Sequence, residues 1–479
     1  MKKSIFMYVG MGSAAFAVTG CGGAGTESTG DGQVAFAESA LGSGCQLDKE
    51  TRFFVPPPDP AALKQITSLV KARDLKNAAR ITAMVTTPQA VWFTGGTPKE
   101  VEKSVKKTMS AAALEKRVPV LVAYNVPFRD CAQYSGGGAI DTPAYEAWID
   151  GFAKGIGKGK AVVILEPDSL GIIPYNTTIY GAAEWCQPTV TASDGSVGPA
   201  PGASAQERYA QLQYAGASLS ARAPNSSVYL DGTHAAWLGV GEAAFRIHKA
   251  GTDAASGASL AKGFYVNASN FQTTEHSIQF STWISMCTAF ATNPEEGGWR
   301  LGNFGWCASQ YNPATDYGLV YTPEYAASVT AQIQGLMGNA LASLPFVIDT
   351  GRNGQGTLDV APYSAEPYSQ PDSVVSSLKA GNWCNPPGAG LGLRPDATTG
   401  VALLDAYLWI KTPGQSDGSC DIAGGARAWD YSQYNPWSLI EDDAQKHFDP
   451  LWGRVDPPAG AWFAAQALDL AKNANPPLF

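Results

Sequence analysis

Five short apolar runs, each followed by an aspartate, constrain this chain more than any other feature. The runs are VPVLVAY (118–124), AVVIL (161–165), SVYL (227–230), PFVI (345–348) and LLDAYLWIK (403–411). The aspartates are Asp130, Asp168, Asp231, Asp349 and Asp417. The runs are rich in Val, Ile, Leu and aromatic residues and lack clean polar alternation, as strands buried on both faces do. Parallel strands joined by helices put their C-terminal ends on one side of a barrel, where the following residues converge. Acids gathered at such a place are costly unless their protonation is used, so the pattern points to carboxylate acid–base chemistry.

The rest of the chain supports this architecture. ITAMV (81–85) reads as a first strand leading to Trp92, and Ala61–Arg80 as a surface helix. Helices are expected over Pro98–Lys116, starting near Thr97, and over Thr142–Gly155, with Thr142 as cap and Pro143 in the first turn. Further helices are expected at Ala205–Arg222, Glu242–Ala250 and Glu324–Leu341, and another strand at GFYVN (263–267). Residues 185–204 read as a long loop and 285–322 as an irregular insertion. Seven or eight β–α units result. A βα-barrel fits better than an open sheet, because no glycine-rich nucleotide motif follows the first strand.

The N-terminus has a different character. Two lysines precede an apolar stretch and the tetrapeptide Val18-Thr19-Gly20-Cys21, which resembles a bacterial lipoprotein signal. Residues 1–20 would be removed, Cys21 lipidated, and residues 21–44 would form a Gly/Ser/Thr/Ala tether. Residues 45–479 suit one large α/β domain. A net charge of −9 argues against nucleic acid. Few charges beside 13 Trp and 19 Tyr suit an extracytoplasmic protein that binds neutral polar ligands. A monomer is expected, with no membrane contact beyond the lipid. Seven cysteines follow Cys21 without a CxxC pair, so disulfides are the default in an exported protein. The sequence leaves their pairing open, with Cys45 the natural odd one.

The motifs after the runs carry the chemistry. Tyr124-Asn-Val-Pro-Phe-Arg129-Asp130-Cys131 closes the first, and Glu166-Pro167-Asp168 follows AVVIL. An acid at the mouth of an apolar strand is partly desolvated, which raises its pKa and keeps a proton available. Asp231-Gly-Thr-His234-Ala-Ala-Trp237, Asp349-Thr-Gly-Arg352 and Lys411-Thr-Pro-Gly-Gln415-Ser416-Asp417 complete the set. Each alone is compatible with ordinary turn chemistry. No metal-ligand cluster or cofactor motif is present in the sequence.

Taken together these blocks resemble glycoside hydrolase family 6, the inverting cellulases. YNVPFRDC and VVILEPDSLG resemble the family's two signatures. DGTHAAWLG, VNASNF, DTGRNGQG, WCNPPGAGLGLRP and WIKTPGQSDG follow in family order. The resemblance implies a distorted barrel of about seven parallel strands, with long loops over a substrate cleft for cellulose or cello-oligosaccharides. It implies Asp168 as general acid, with Asp130 raising its pKa. It implies Asp417 as base, through waters to which Ser135 contributes, and Tyr124 pressing on the distorted sugar. Trp92, Trp237 and Trp383 would stack on sugars. Asp231, His234, Asn270, Lys411 and Gln415 would bind substrate, and Arg129, Lys411 and Arg352 would position carboxylates. Bridges Cys131–Cys186 and Cys384–Cys420 are implied as well, leaving Cys287–Cys307 as an additional local one.

Two positions depart from the family. Gln415 stands where a glutamate is common, and Val240 where some cellobiohydrolases have a stacking tryptophan. Endo-action is therefore favoured over exo-action. Two other readings compete. Gly414-Gln-Ser416-Asp-Gly418 formally matches a serine-hydrolase elbow, but Pro413 precedes it and the one downstream histidine is His447. A lipid-anchored glycan-binding protein without catalysis is the other.

Overall fold

VLVA, AVVIL and SSVYLD lie side by side in a seven-stranded sheet. Its strands are β1 (Val91–Phe93), β2 (Val120–Ala123), β3 (Ala161–Leu165), β4 (Ser226–Asp231), β5 (Gly263–Val266), β6 (Phe346–Asp349) and β7 (Leu404–Leu408). The computed structural model describes residues 47–132, 134–307, 322–366, 368–420, 448–449 and 454–479. Cys21, the tether, Cys45, His447 and much of 419–456 lie outside these.

The strand order is β1-β2-β3-β4-β5-β6-β7 and every neighbour is parallel. The sheet curls until its edges meet. The Ala90 N–H donates to the Trp409 carbonyl at 2.9 Å, and the Trp92 indole N–H donates to the Ile410 carbonyl at 2.8 Å. This distorted barrel is the fold the sequence implied.

Alternate strand residues fill its interior. Val120, Val122, Val162, Ile164, Tyr229, Tyr265, Val347, Ala406 and Leu408 form one buried cluster. Leu121, Val163 and Leu165, on the other pleat face, are equally buried, so the central strands need apolar residues throughout. Truncating one such side chain, Ile164→Ala, would cost about 2–5 kcal/mol. β7 is an edge strand and alternates between buried and half-buried positions.

Several boundaries differ from expectation. ITAMV is not a strand but the end of the helix Leu75–Val85. The Asp74 side chain accepts the Asn77 N–H and starts that helix, and Ala78, Ile81, Met84 and Val85 face the core. The first strand is the short VWF. The helix Thr142–Ile156 is capped by Asp141, which accepts the Ala144 N–H. Thr142 instead donates its hydroxyl to Glu207. The expected insertion from 285 begins inside the helix Thr274–Ala291. The helix Ala464–Lys472 packs beneath Leu391 and Trp409.

Among the described residues three disulfides join Cys131 to Cys186, Cys287 to Cys307 and Cys384 to Cys420. The first ties the loop after β2 to the loop after β3. The third ties the segment before Asn385 to the loop after Asp417.

Candidate active site

The loops that follow β2 to β7 meet at one end of the sheet. Their backbones are strained there. Phe128, Asp130, Cys131, Glu166, Asp168, Thr233, Asn267 and Ser269 all have positive φ between 45° and 69°. Non-glycine residues in this region cost on the order of 1–3 kcal/mol each and persist where the surroundings over-determine them. A web of hydrogen bonds from carboxylate and arginine side chains to the loop backbones supplies that constraint.

Asp168 is the electrostatic centre. Its carboxyl is pushed well above the ordinary carboxylate range, first by burial and then by the charges on Asp231, Asp130 and Asp417, while Lys411 works in the other direction. Asp130 is raised to about 6, chiefly by burial. Its Oδ2 accepts the Ser135 N–H at 2.8 Å, which with Arg129 and Lys411 opposes the rise. Asp417 behaves oppositely. Burial would raise it, but Arg352, Lys411 and the Asn385 N–H hold it below its ordinary value. Arg352 Nη1 lies 2.7 Å from Asp417 Oδ2, and Lys411 Nζ 3.4 Å from Oδ1. The site thus holds one acid that keeps its proton beside one that stays ionised.

Two of the five aspartates point into the scaffold. Asp231 is 2% exposed; it accepts N–H groups from Thr233, Leu170 and Gly171. Asp349 accepts those of Ser269, Gly351, Ile410 and Lys411, joining three loops. Arg129 donates to the carbonyls of Ser135, Thr94 and Tyr124. Its guanidinium lies 4.4 Å from the Tyr124 ring centroid. It positions the Asp130 loop through backbone rather than through a carboxylate contact.

The aromatic residues line up along the same end. Trp92 meets Tyr124 edge-on at 5.4 Å. Trp237 covers Gly171, where any Cβ would sit 2.7 Å from the indole. His234 is 5.6 Å from Trp237, and burial pushes its imidazole down to about 3, so it is neutral. Trp383 packs with Tyr134 against the Cys384–Cys420 bridge. Asn270 is nearly buried, with its Oδ1 accepting from the Phe271 N–H. The Gln415 backbone pairs with Trp462. Val240 is buried at the start of the helix Val240–Gly251.

Residues without an assigned role in the sequence complete the site. Glu166, wholly buried, accepts the N–H groups of Asn125 and Val126 at 2.7 and 2.9 Å. Asn385 donates its N–H to Asp417 Oδ2, and its own Oδ1 accepts the Asp417 N–H. Both sit in quoted motifs, but their partners come from distant loops. Ser416 is unsuited to nucleophilic attack. Its buried hydroxyl is bonded to the Pro457 carbonyl and receives the Asn385 amide.

Comparison with known proteins agrees with this geometry. Residues 48–474 match the model for glycosyl hydrolases family 6. The chain is 30% identical over 408 residues to Endoglucanase 1 of Streptomyces halstedii, covering 85% of this chain and 94% of that one. It is 29% identical over 344 residues to Endoglucanase A of Cellulomonas fimi, covering 72% of this chain and 52% of that longer protein. The endoglucanase Cel6 from Mycobacterium tuberculosis, solved in complex with methyl-cellobiosyl-4-deoxy-4-thio-β-D-cellobioside, superposes with a TM-score of 0.52 at 28% identity, over 88% of this chain and 97% of that one. The barrel, the paired acids and these matches lead to one conclusion: this chain belongs to glycosyl hydrolases family 6.

Proposed function

We propose that the protein hydrolyses β-1,4-glucosidic bonds in cellulose or soluble β-glucans, with inversion at the anomeric carbon and by endo-action. The observation that carries this reading is the divergence between Asp168, raised, and Asp417, lowered, within one cluster. Acetal cleavage needs a proton for the departing oxygen and a water activated on the opposite face.

In this reading Asp168 is the general acid. Burial, and then like-charge repulsion from Asp231 and Asp130, keep it protonated. Asp417 remains ionised and balances the positive charge that develops on the sugar ring. Two cations make it a weak proton acceptor, so the attacking water needs a relay. Asp130, near 6, is the better-matched terminus, and Ser135 beside it is available to hold the water. Tyr124, kept protonated by burial and by Asp168 and Asp130, presses on the sugar at the cleavage point. Trp92, Trp237 and Trp383 offer stacking faces, and His234, Asn270, Lys411 and Gln415 offer polar contacts.

Endo-action is supported by the endoglucanase relatives and by Val240, which presents no ring to a long chain. The ratio of viscosity loss to reducing sugar released tests it: a steep early viscosity drop is expected, and sugar release without that drop would mark an exo-acting enzyme. Outside the cytoplasm the three disulfides are stable. We place the enzyme there, as a monomer, with residues 1–20 removed, a lipid on Cys21 and residues 21–44 as tether to the domain 45–479.

A further inference from the structure

Outside the site described above the surface carries exposed aromatic rings that the reaction does not use. Tyr180 is 60% exposed, Trp306 55% and Trp299 38%. A contiguous exposed apolar patch marks an interaction or ligand-binding site, unlike apolar residues scattered singly. These rings are held from beneath. The Trp299 and Trp306 centroids lie 5.7 Å apart. Phe290 meets Trp299 edge-on at 5.8 Å, and the Arg300 guanidinium covers it at 4.4 Å. Phe304 is buried against Phe245 and His248. The Cys287–Cys307 bridge fastens the residue after Trp306 to the helix Thr274–Ala291.

Tyr180 joins the same platform. A Cβ on Gly241 would lie 2.3 Å from the Phe304 carbonyl oxygen and 3.1 Å from the Tyr180 hydroxyl. One on Gly305 would lie 3.5 Å from the Tyr180 ring. At 241 only glycine lets the helix approach Phe304 this closely.

Buried contacts tie the base of this platform to the segment beneath Trp237. Glu242 accepts the Ile179 N–H at 2.8 Å and pairs with Arg246 Nε at 2.6 Å. Arg246 donates to the Leu170 carbonyl at 2.7 Å. The next residue, Gly171, is the one Trp237 covers. A buried ion pair thus fixes Tyr180 relative to Trp237. Val240, three residues after Trp237, is buried and offers no ring.

We propose that Tyr180 and Trp306, backed by Trp299, bind the substrate's β-1,4-glucan chain beyond Trp237, stacking on the flat apolar faces of its sugars. The platform extends the cleft for polymer and not for short oligosaccharides. It rests on the glucan-hydrolase reading above.

The test is the double variant Tyr180→Ala/Trp306→Ala in the full chain. Both side chains are exposed, so circular dichroism and thermal unfolding should match wild type. Turnover of short cello-oligosaccharides should be unchanged. Depletion binding to insoluble cellulose, and KM on long-chain soluble β-glucan, should weaken by roughly tenfold. Equal polymer binding by the variant, with active wild type, overturns the platform alone. Wild-type protein that cleaves no β-1,4-glucan overturns the reading beneath it. Equal loss on short and long substrates also overturns the platform, since it would mean damage to the catalytic centre.

Discussion

Glu166 Oε2 accepts the Val126 N–H at 2.9 Å, tying the loop of Asp168 to the loop of Asp130. Glu166 lies two residues before Asp168, and Val126 four before Asp130. The placement of the two loops, and with it the Asp130 charge that adds to burial and Asp231 in raising Asp168, depends on this buried carboxylate.

Burial raises Glu166 to about 7 from an ordinary 4.5. The folded state then binds its proton more tightly than the unfolded state does. The group's stabilising contribution is full below about pH 4.5 and is lost as pH rises through about 7. Glu166→Gln removes this titration. The melting temperature of wild type relative to the variant should fall between those pH values. A difference that stays constant with pH would contradict the assignment.

Asp168→Asn should lower turnover of unactivated glucan by ~10²–10⁴-fold, the usual contribution of general acid catalysis. An aryl glycoside with a good leaving group should be far less affected, because its oxygen needs little protonation. Rates on both substrates measure the contrast.

Asp130→Asn should change both limbs of the pH–rate profile. Rate falls on the alkaline side as Asp168 loses its proton. Removing the Asp130 charge lowers that pKa, so the alkaline limb should move to lower pH. The acid limb near 6, where Asp130 itself takes up a proton, should disappear.

Arg352→Ala leaves Asp417 buried without its closest cation. Breaking a buried pair of this kind costs about 3–5 kcal/mol, read by denaturant unfolding at neutral pH. Asp417 is held below its ordinary 3.8, so the pair's contribution is present above that pH and is lost as pH falls further. The gap between wild type and variant should therefore close in acid.

Cys21→Ser should release the protein from the membrane fraction or stall its maturation, since stable anchoring needs more than one acyl chain. Intact mass of the wild-type protein, with no lipid on Cys21, would indicate simple secretion and leave the catalytic account intact.

The strands were legible where burial on both faces forces an unbroken apolar run, as in AVVIL. ITAMV misled because its β-branched residues close an amphipathic helix whose signal, Asp74, lies seven residues upstream. The helix Thr274–Ala291 escaped because it is buried nearly all round, so it lacks a polar stripe. The convergence of acids was legible from strand order. What each acid touches was not. Asp231 and Asp349 follow their strands as Asp168 follows AVVIL, yet they bond backbone N–H groups from other loops. Only the fold brings those groups together.

Proton NMR of the first product released from a cello-oligosaccharide tests the central claim most directly. A water attacking opposite the departing oxygen gives the α-anomer first, with the β-anomer growing in only by mutarotation. Initial release of the β-anomer would mean retention and would contradict the roles given to Asp168 and Asp130.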